Sequence, residues 1–194
     1  MSLIVFANAV IVLFTAVSTL VCFRKDGKWS FSSGLRAFRF FTLLSNVLCA
    51  IASLLILLCL SRGILPYGVW LLKYIGTAAV SVTFMTVMVF LGPTLGYKDQ
   101  LKGFGCYLHL SGPLIAVISF CILERWYPLS FPLSLTGVIP VILYGSVYLY
   151  LVVIREKWED FYGFNKSGKW QLSFVAMVIG ALLLCLLLRF LYNL

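Results

Sequence analysis

Residues 40–60 read FFTLLSNVLCAIASLLILLCL, a run without a single charge, bracketed by Arg39 and Arg62. A membrane-spanning helix needs about 20 predominantly apolar residues, and this stretch supplies them. Working outward, comparable runs occur at Leu3–Phe23, Val69–Leu91, Phe104–Leu123, Leu133–Ile154 and Leu172–Leu191. With Phe40–Leu60 they predict six transmembrane helices in one integral membrane domain spanning residues 1–194, an all-α bundle with short loops. The first run lacks a preceding basic residue, exceeds the usual length of a signal-peptide core and meets a charged stop, so it is expected to stay as a span.

Composition agrees. Of 194 residues, 62% are hydrophobic and 11% charged, and mean hydropathy is +1.07. A soluble domain is nearer half apolar and a quarter charged. Six spans consume roughly 120–130 residues, which leaves no room for a separate soluble catalytic or nucleic-acid-binding domain. The net charge of +9 therefore reads as membrane topology and lipid contact rather than nucleic-acid binding. Six cysteines (Cys22, Cys49, Cys59, Cys106, Cys121, Cys185) show no CxxC spacing and read as small core residues. One histidine and six carboxylates are too few for an ordinary zinc or di-iron site. No metal and no cofactor is expected.

The first loop carries Arg24, Lys25, Lys28, Arg36 and Arg39, the third Lys98 and Lys102, and the fifth Arg155, Lys157, Lys166 and Lys169. Against these stand Arg62 in the second loop, Lys73 in the first turns of the third helix, and Arg125 in the fourth loop. The asymmetry places loops one, three and five in the cytoplasm and both termini outside, in the cell membrane if the source is bacterial. Trp29, Trp158 and Trp170 on one side and Tyr67, Trp70, Trp126 and Tyr127 on the other form two aromatic belts.

Polar groups at membrane depth are costly and mark where to look for function. His109 is the only histidine and lies within an apolar run, seven residues past Lys102; Thr42 lies three past Arg39. The second and fourth helices both start at the face where loops one and three emerge, so Thr42 and His109 share a side and a similar depth. Thr42, Asn46, Cys49 and Ser53 form one helical stripe, flanked by Ser45. His109, Gly112, Pro113 and Ala116 share a face of the fourth helix, and Pro113 frees the backbone carbonyl of position 109. Ser53, Thr77, Ser81, Thr83 and Thr86 read first as helix-packing hydroxyls. Glu124 and Arg125 read as an interfacial anchor, and Arg189 as a snorkelling base.

The block Arg39-Phe-Phe-Thr-Leu-Leu-Ser-Asn46, followed by Val82-Thr-Phe84, Gly92-Pro93, Leu108-His109, Pro113 and Glu124, resembles the androgen-induced protein family. That family includes the androgen-dependent tissue-factor-pathway-inhibitor-regulating protein and short bacterial relatives. The motifs lie between about residues 39 and 124, within a six-helix profile covering most of the chain. The resemblance implies an intramembrane hydrolase of lipid esters, such as fatty acid esters of hydroxy fatty acids, with Thr42 as nucleophile and His109 beside it. Leu110-Ser111 after the histidine and the shorter loops depart from animal members.

The chemistry is coherent. A hydroxyl needs a base, an imidazole can serve, and the tetrahedral oxyanion needs placed donors. Asn46 is the first candidate donor and Ser45 the second. A backbone carbonyl, a hydroxyl or Tyr107 would orient the imidazole. The partners expected are a fatty-acyl ester and the bilayer, with no nucleic acid. The alternatives are a small six-helix transporter or carrier subunit and a non-catalytic membrane scaffold.

Overall fold

The computed structural model of the chain describes residues 2–165 and 168–194; Lys166, counted among the bases of the fifth loop, lies outside them. It is an all-α bundle in which six helices are long and apolar enough to cross a membrane: α1 Leu3–Cys22, α2 Phe41–Ser61, α3 Tyr67–Leu95, α4 Phe104–Leu123, α5 Phe131–Ile154 and α6 Trp170–Asn193. The exposed face of α6, with Leu172, Val175, Ile179, Leu183, Leu187 and Phe190, is unsuited to water and suited to lipid. The chain is a multi-pass membrane protein.

α3 is longer than the sequence suggests. The helix does not stop at Gly92-Pro93 but runs on to Leu95, because residues Thr86–Leu91 form a wide π turn ahead of the proline. A wide turn accommodates the missing N–H and the bulk of the ring without breaking the helix. Gly96, at φ 93°, then ends it. The first loop also holds more structure than expected. Arg24–Lys25 and Lys28–Trp29 pair as a small antiparallel hairpin, turned by Asp26 and Gly27 at φ 51° and 77°, the left-handed pair of a type I′ turn. The short helix Phe31–Ala37 follows, capped by Ser30.

α3 is the central element, packed against α2, α4, α5 and α6. Small residues permit this. A Cβ at Gly76 would stand 2.8 Å from the Cys49 Cα of α2, and one at Gly137 would stand 2.8 Å from the Ala78 Cβ. Such close backbone approach is how membrane helices gain dispersion contact without a hydrophobic drive.

The half of the bundle away from the basic loops is organised by charge. Lys73 of α3 and Glu124, just past α4, are both fully buried and face one another at 3.9 Å. The Lys73 ammonium donates to Asn8 Oδ1 of α1 at 2.9 Å and to Ser53 Oγ of α2 at 2.7 Å. Glu124 Oε1 accepts from Asn8 Nδ2 at 2.7 Å and from Ser119 Oγ at 2.5 Å. The Glu124 backbone carbonyl accepts from the Trp70 indole at 3.1 Å, within an aromatic cluster of Trp70, Tyr74, Phe120 and Tyr192. One sequence reading is therefore corrected: Glu124 is not an interfacial anchor, and it and Lys73, counted from the sequence only toward the charge balance of the loops, are each other's counter-charge.

Removing one member of a buried pair strands the other, at about 3–5 kcal/mol, whereas replacing both is far less costly. Lys73→Met and Glu124→Gln are each expected to lose this amount in detergent unfolding, with the double variant recovering most of it. Single variants that unfold with the wild type would contradict the arrangement.

Candidate active site

The opposite half, where the basic loops emerge, holds three wide π turns, at Thr86–Leu91 in α3, Tyr107–Ser111 in α4 and Tyr150–Ile154 in α5; a fourth, Ser119–Leu123, leads into Glu124 in the charge-paired half. Such turns widen a helix locally and re-aim its side chains. The turn in α4 carries His109 and precedes Gly112-Pro113, as the one in α3 precedes Gly92-Pro93. α2 starts abruptly at Phe41 after an extended Phe40, which puts Thr42 in its first turn.

Thr42 and His109 line one cavity of about 320 Å³ at this end, together with Phe40, Leu43, Gln100, Leu108, Phe161 and Tyr162. Its walls are apolar apart from a few groups. A smaller pocket of about 30 Å³ also touches Thr42, with Thr83, Thr86, Val141, Phe164 and Met177 around it; Phe41 and Tyr162 line it too.

The imidazole is held from one side. His109 Nδ1 lies 2.7 Å from the Gln100 carbonyl oxygen. A carbonyl only accepts, so Nδ1 carries the proton, and in the neutral ring Nε2 keeps its lone pair. Of the orienters open to His109, a backbone carbonyl is the one it meets. Gly105 makes this possible, since a Cβ there would stand 2.5 Å from the same carbonyl oxygen.

Asn46 is placed otherwise than as an oxyanion donor. Its amide nitrogen donates to the Thr42 carbonyl at 2.8 Å and to the Leu108 carbonyl at 3.1 Å, and its side chain is buried behind the cavity wall. One amide thus brackets the backbone of Thr42 to that of the residue before His109. Losing it would leave the Leu108 carbonyl unpaired, at about 1–3 kcal/mol. Ser45 is likewise occupied. Its hydroxyl meets Thr83 Oγ1 at 2.8 Å and donates to the Thr42 carbonyl at 3.1 Å. Tyr107 turns away to α1, its hydroxyl meeting Thr15 Oγ1 at 3.0 Å and the Ile11 carbonyl at 3.1 Å. All three pack helices and none lines the cavity that holds Thr42 and His109.

The structure adds a wall that was read from the sequence only as a basic loop. Residues Trp158-Glu-Asp-Phe-Tyr-Gly-Phe164 fold back onto the bundle end. Asp160 ties them, with Oδ1 accepting from Tyr148 Oη at 2.8 Å and Phe164 N at 2.9 Å, and Oδ2 from Asn165 N at 2.7 Å. Phe161 packs on Phe40 with ring centres 4.7 Å apart, and the Arg39 guanidinium lies over Trp158 at 5.6 Å. Tyr162 reaches furthest in, accepting a hydrogen bond from Phe41 N at 3.0 Å. The signal was present in the sequence: four aromatic residues within seven are the composition of a packed element, not of a solvated loop.

No family model, curated protein or solved structure matches this chain.

Because the chain has a single histidine, its tautomer can be read directly. In ¹⁵N-histidine-labelled protein, the neutral imidazole is expected to carry its proton on Nδ1. A proton on Nε2 would contradict the Gln100 contact.

Proposed function

We propose that the chain is an intramembrane hydrolase of lipid esters, with Thr42 as nucleophile and His109 as general base. The observation that carries the reading is the cavity shared by Thr42 and His109. The tautomer fixed by Gln100 leaves Nε2 as a proton acceptor, and the block from Arg39 to Glu124 resembles a family of such enzymes. The basic loops are cytoplasmic on this reading, so the site opens toward the inner leaflet.

The reaction follows from ordinary nucleophilic catalysis. Thr42 Oγ attacks the ester carbonyl carbon while its proton passes to His109 Nε2. The carbonyl π pair moves onto oxygen, and collapse of the tetrahedral adduct expels the alcohol oxygen, which takes the proton from His109. Water then attacks the Thr42 acyl ester, giving its proton to His109. A second collapse returns that proton to Thr42 Oγ and frees the carboxylic acid. The sum is ester plus water giving acid plus alcohol. The apolar walls suit an acyl chain, and fatty acid esters of hydroxy fatty acids are the substrates that the resemblance implies.

Purified protein in detergent, given p-nitrophenyl butyrate, octanoate and palmitate and a fatty acid ester of a hydroxy fatty acid, is expected to turn over at least one of them. Thr42→Ala abolishes the activity and His109→Gln lowers kcat by about 10²–10⁴-fold, the usual worth of a general base, with melting behaviour preserved. An inert wild type, or variants that match it, would overturn the reading.

A further inference from the structure

An ester hydrolase must stabilise the oxyanion with donors already in place, and Asn46 and Ser45 are engaged elsewhere. Two donors at the cavity can be turned on the oxyanion. The first is the Tyr162 hydroxyl. It accepts from Phe41 N at 3.0 Å, and its other polar neighbour is the Tyr144 phenol, from which its O–H can turn toward the cavity. Phe41 immediately precedes Thr42, so the contact anchors the phenol beside the nucleophile rather than at the far wall. The neighbouring Tyr144 spends its proton on the Arg39 carbonyl at 2.6 Å.

The second is the backbone N–H of Thr42 itself. In the first turn of α2, Phe41 N pairs with Tyr162, and Leu43 N and Leu44 N both reach the Phe40 carbonyl. Thr42 N has no acceptor among the described residues, as the opening N–H groups of a helix do unless something caps them. Both donors belong to groups that line the cavity with His109.

We propose that the Tyr162 hydroxyl and the Thr42 backbone N–H form the oxyanion hole of this site, closed over it by the Asp160-tied loop. The proposal rests on the ester-hydrolase reading. As Thr42 Oγ bonds to the carbonyl carbon, the π pair that becomes the oxyanion is met by one O–H and one N–H; on collapse the pair returns and neither donor has given up its proton. Donation from Phe41 N into the phenol oxygen polarises the O–H toward giving its own hydrogen bond. Burial raises the Tyr162 phenol above its ordinary pKa, which keeps it protonated through the neutral range. Tyr162 is also held without reliance on the proton in question, through its backbone N–H to Tyr148 Oη at 3.2 Å and ring packing on Phe164 at 5.3 Å.

The test compares wild type, Thr42→Ala, His109→Gln and Tyr162→Phe on whichever p-nitrophenyl ester the wild type hydrolyses, with a trifluoromethyl ketone of matching chain as a mimic of the tetrahedral adduct. Tyr162→Phe is expected to lower kcat by about 10²–10³-fold. KM stays within about threefold, because the lost bond exists only in the transition state. Affinity for the ketone falls by the same factor as kcat, because the mimic shares the oxyanion. A ring-fluorinated tyrosine at 162 keeps the hydroxyl and keeps the activity, even if the phenylalanine variant melts early.

A Tyr162→Phe enzyme with unchanged kcat, while Thr42→Ala and His109→Gln are inactive, would overturn the oxyanion assignment and leave the hydrolase reading standing. Equal weakening of substrate and ketone with a lowered melting temperature would show a packing role and overturn it too. A wild type inert on every ester removes both.

Discussion

A lysine and a glutamate buried together inside an apolar bundle are the constraint on which the remaining structure depends. Lys73 and Glu124 are both fully buried, and either alone in this setting would be prohibitive. Each therefore draws polar side chains from other helices: Asn8 from α1, Ser53 from α2, Ser119 from α4. Asn8 is the hub, its oxygen toward the ammonium and its nitrogen toward the carboxylate. Four spans are thereby held in one relative register, which packing among Leu, Ile and Val side chains alone would specify weakly.

Irregular backbone occurs in both halves, and in the charge-paired one the wide turn Ser119–Leu123 leads into Glu124. Proline and the wide turns cost regular hydrogen bonds, and in lipid such losses are tolerated only where protein or a cavity receives them. The wide turns at Thr86–Leu91, Tyr107–Ser111 and Tyr150–Ile154 gather around the Thr42–His109 cavity and the folded-back loop. One end is tied by a buried charge pair that sets register, and the other presents a hydroxyl and an imidazole to one space.

Much of this was legible in the sequence, and the failures have physical causes. Six spans followed from uncharged runs, because the length needed to cross hydrocarbon is fixed by helix rise. That Thr42 and His109 lie at the same end of the bundle could be read from topology, since both helices start at the same face, and the two line one cavity. Helical spacing put Asn46 on the face of Thr42, but spacing cannot say which carbonyl an amide will find. It found Leu108, and the residue became a bracket instead of a donor. Glu124 was read from its place at a helix end, whereas its partners Lys73 and Asn8 arrive from distant segments. Tyr162 was missed because the fifth loop was read by its charges, with Trp158 alone of its folded-back aromatic residues noted, and that as part of an interfacial belt. The third span ran past Gly92-Pro93 because a wide turn let it.

The central claim is that the Thr42 hydroxyl is the nucleophile of this cavity. Mass-spectrometric mapping of the adduct left by an alkyl fluorophosphonate tests it most directly. The account predicts phosphonylation of Thr42, lost in His109→Gln for want of the base. An adduct on another residue, or labelling of Thr42 that is indifferent to His109, would contradict it.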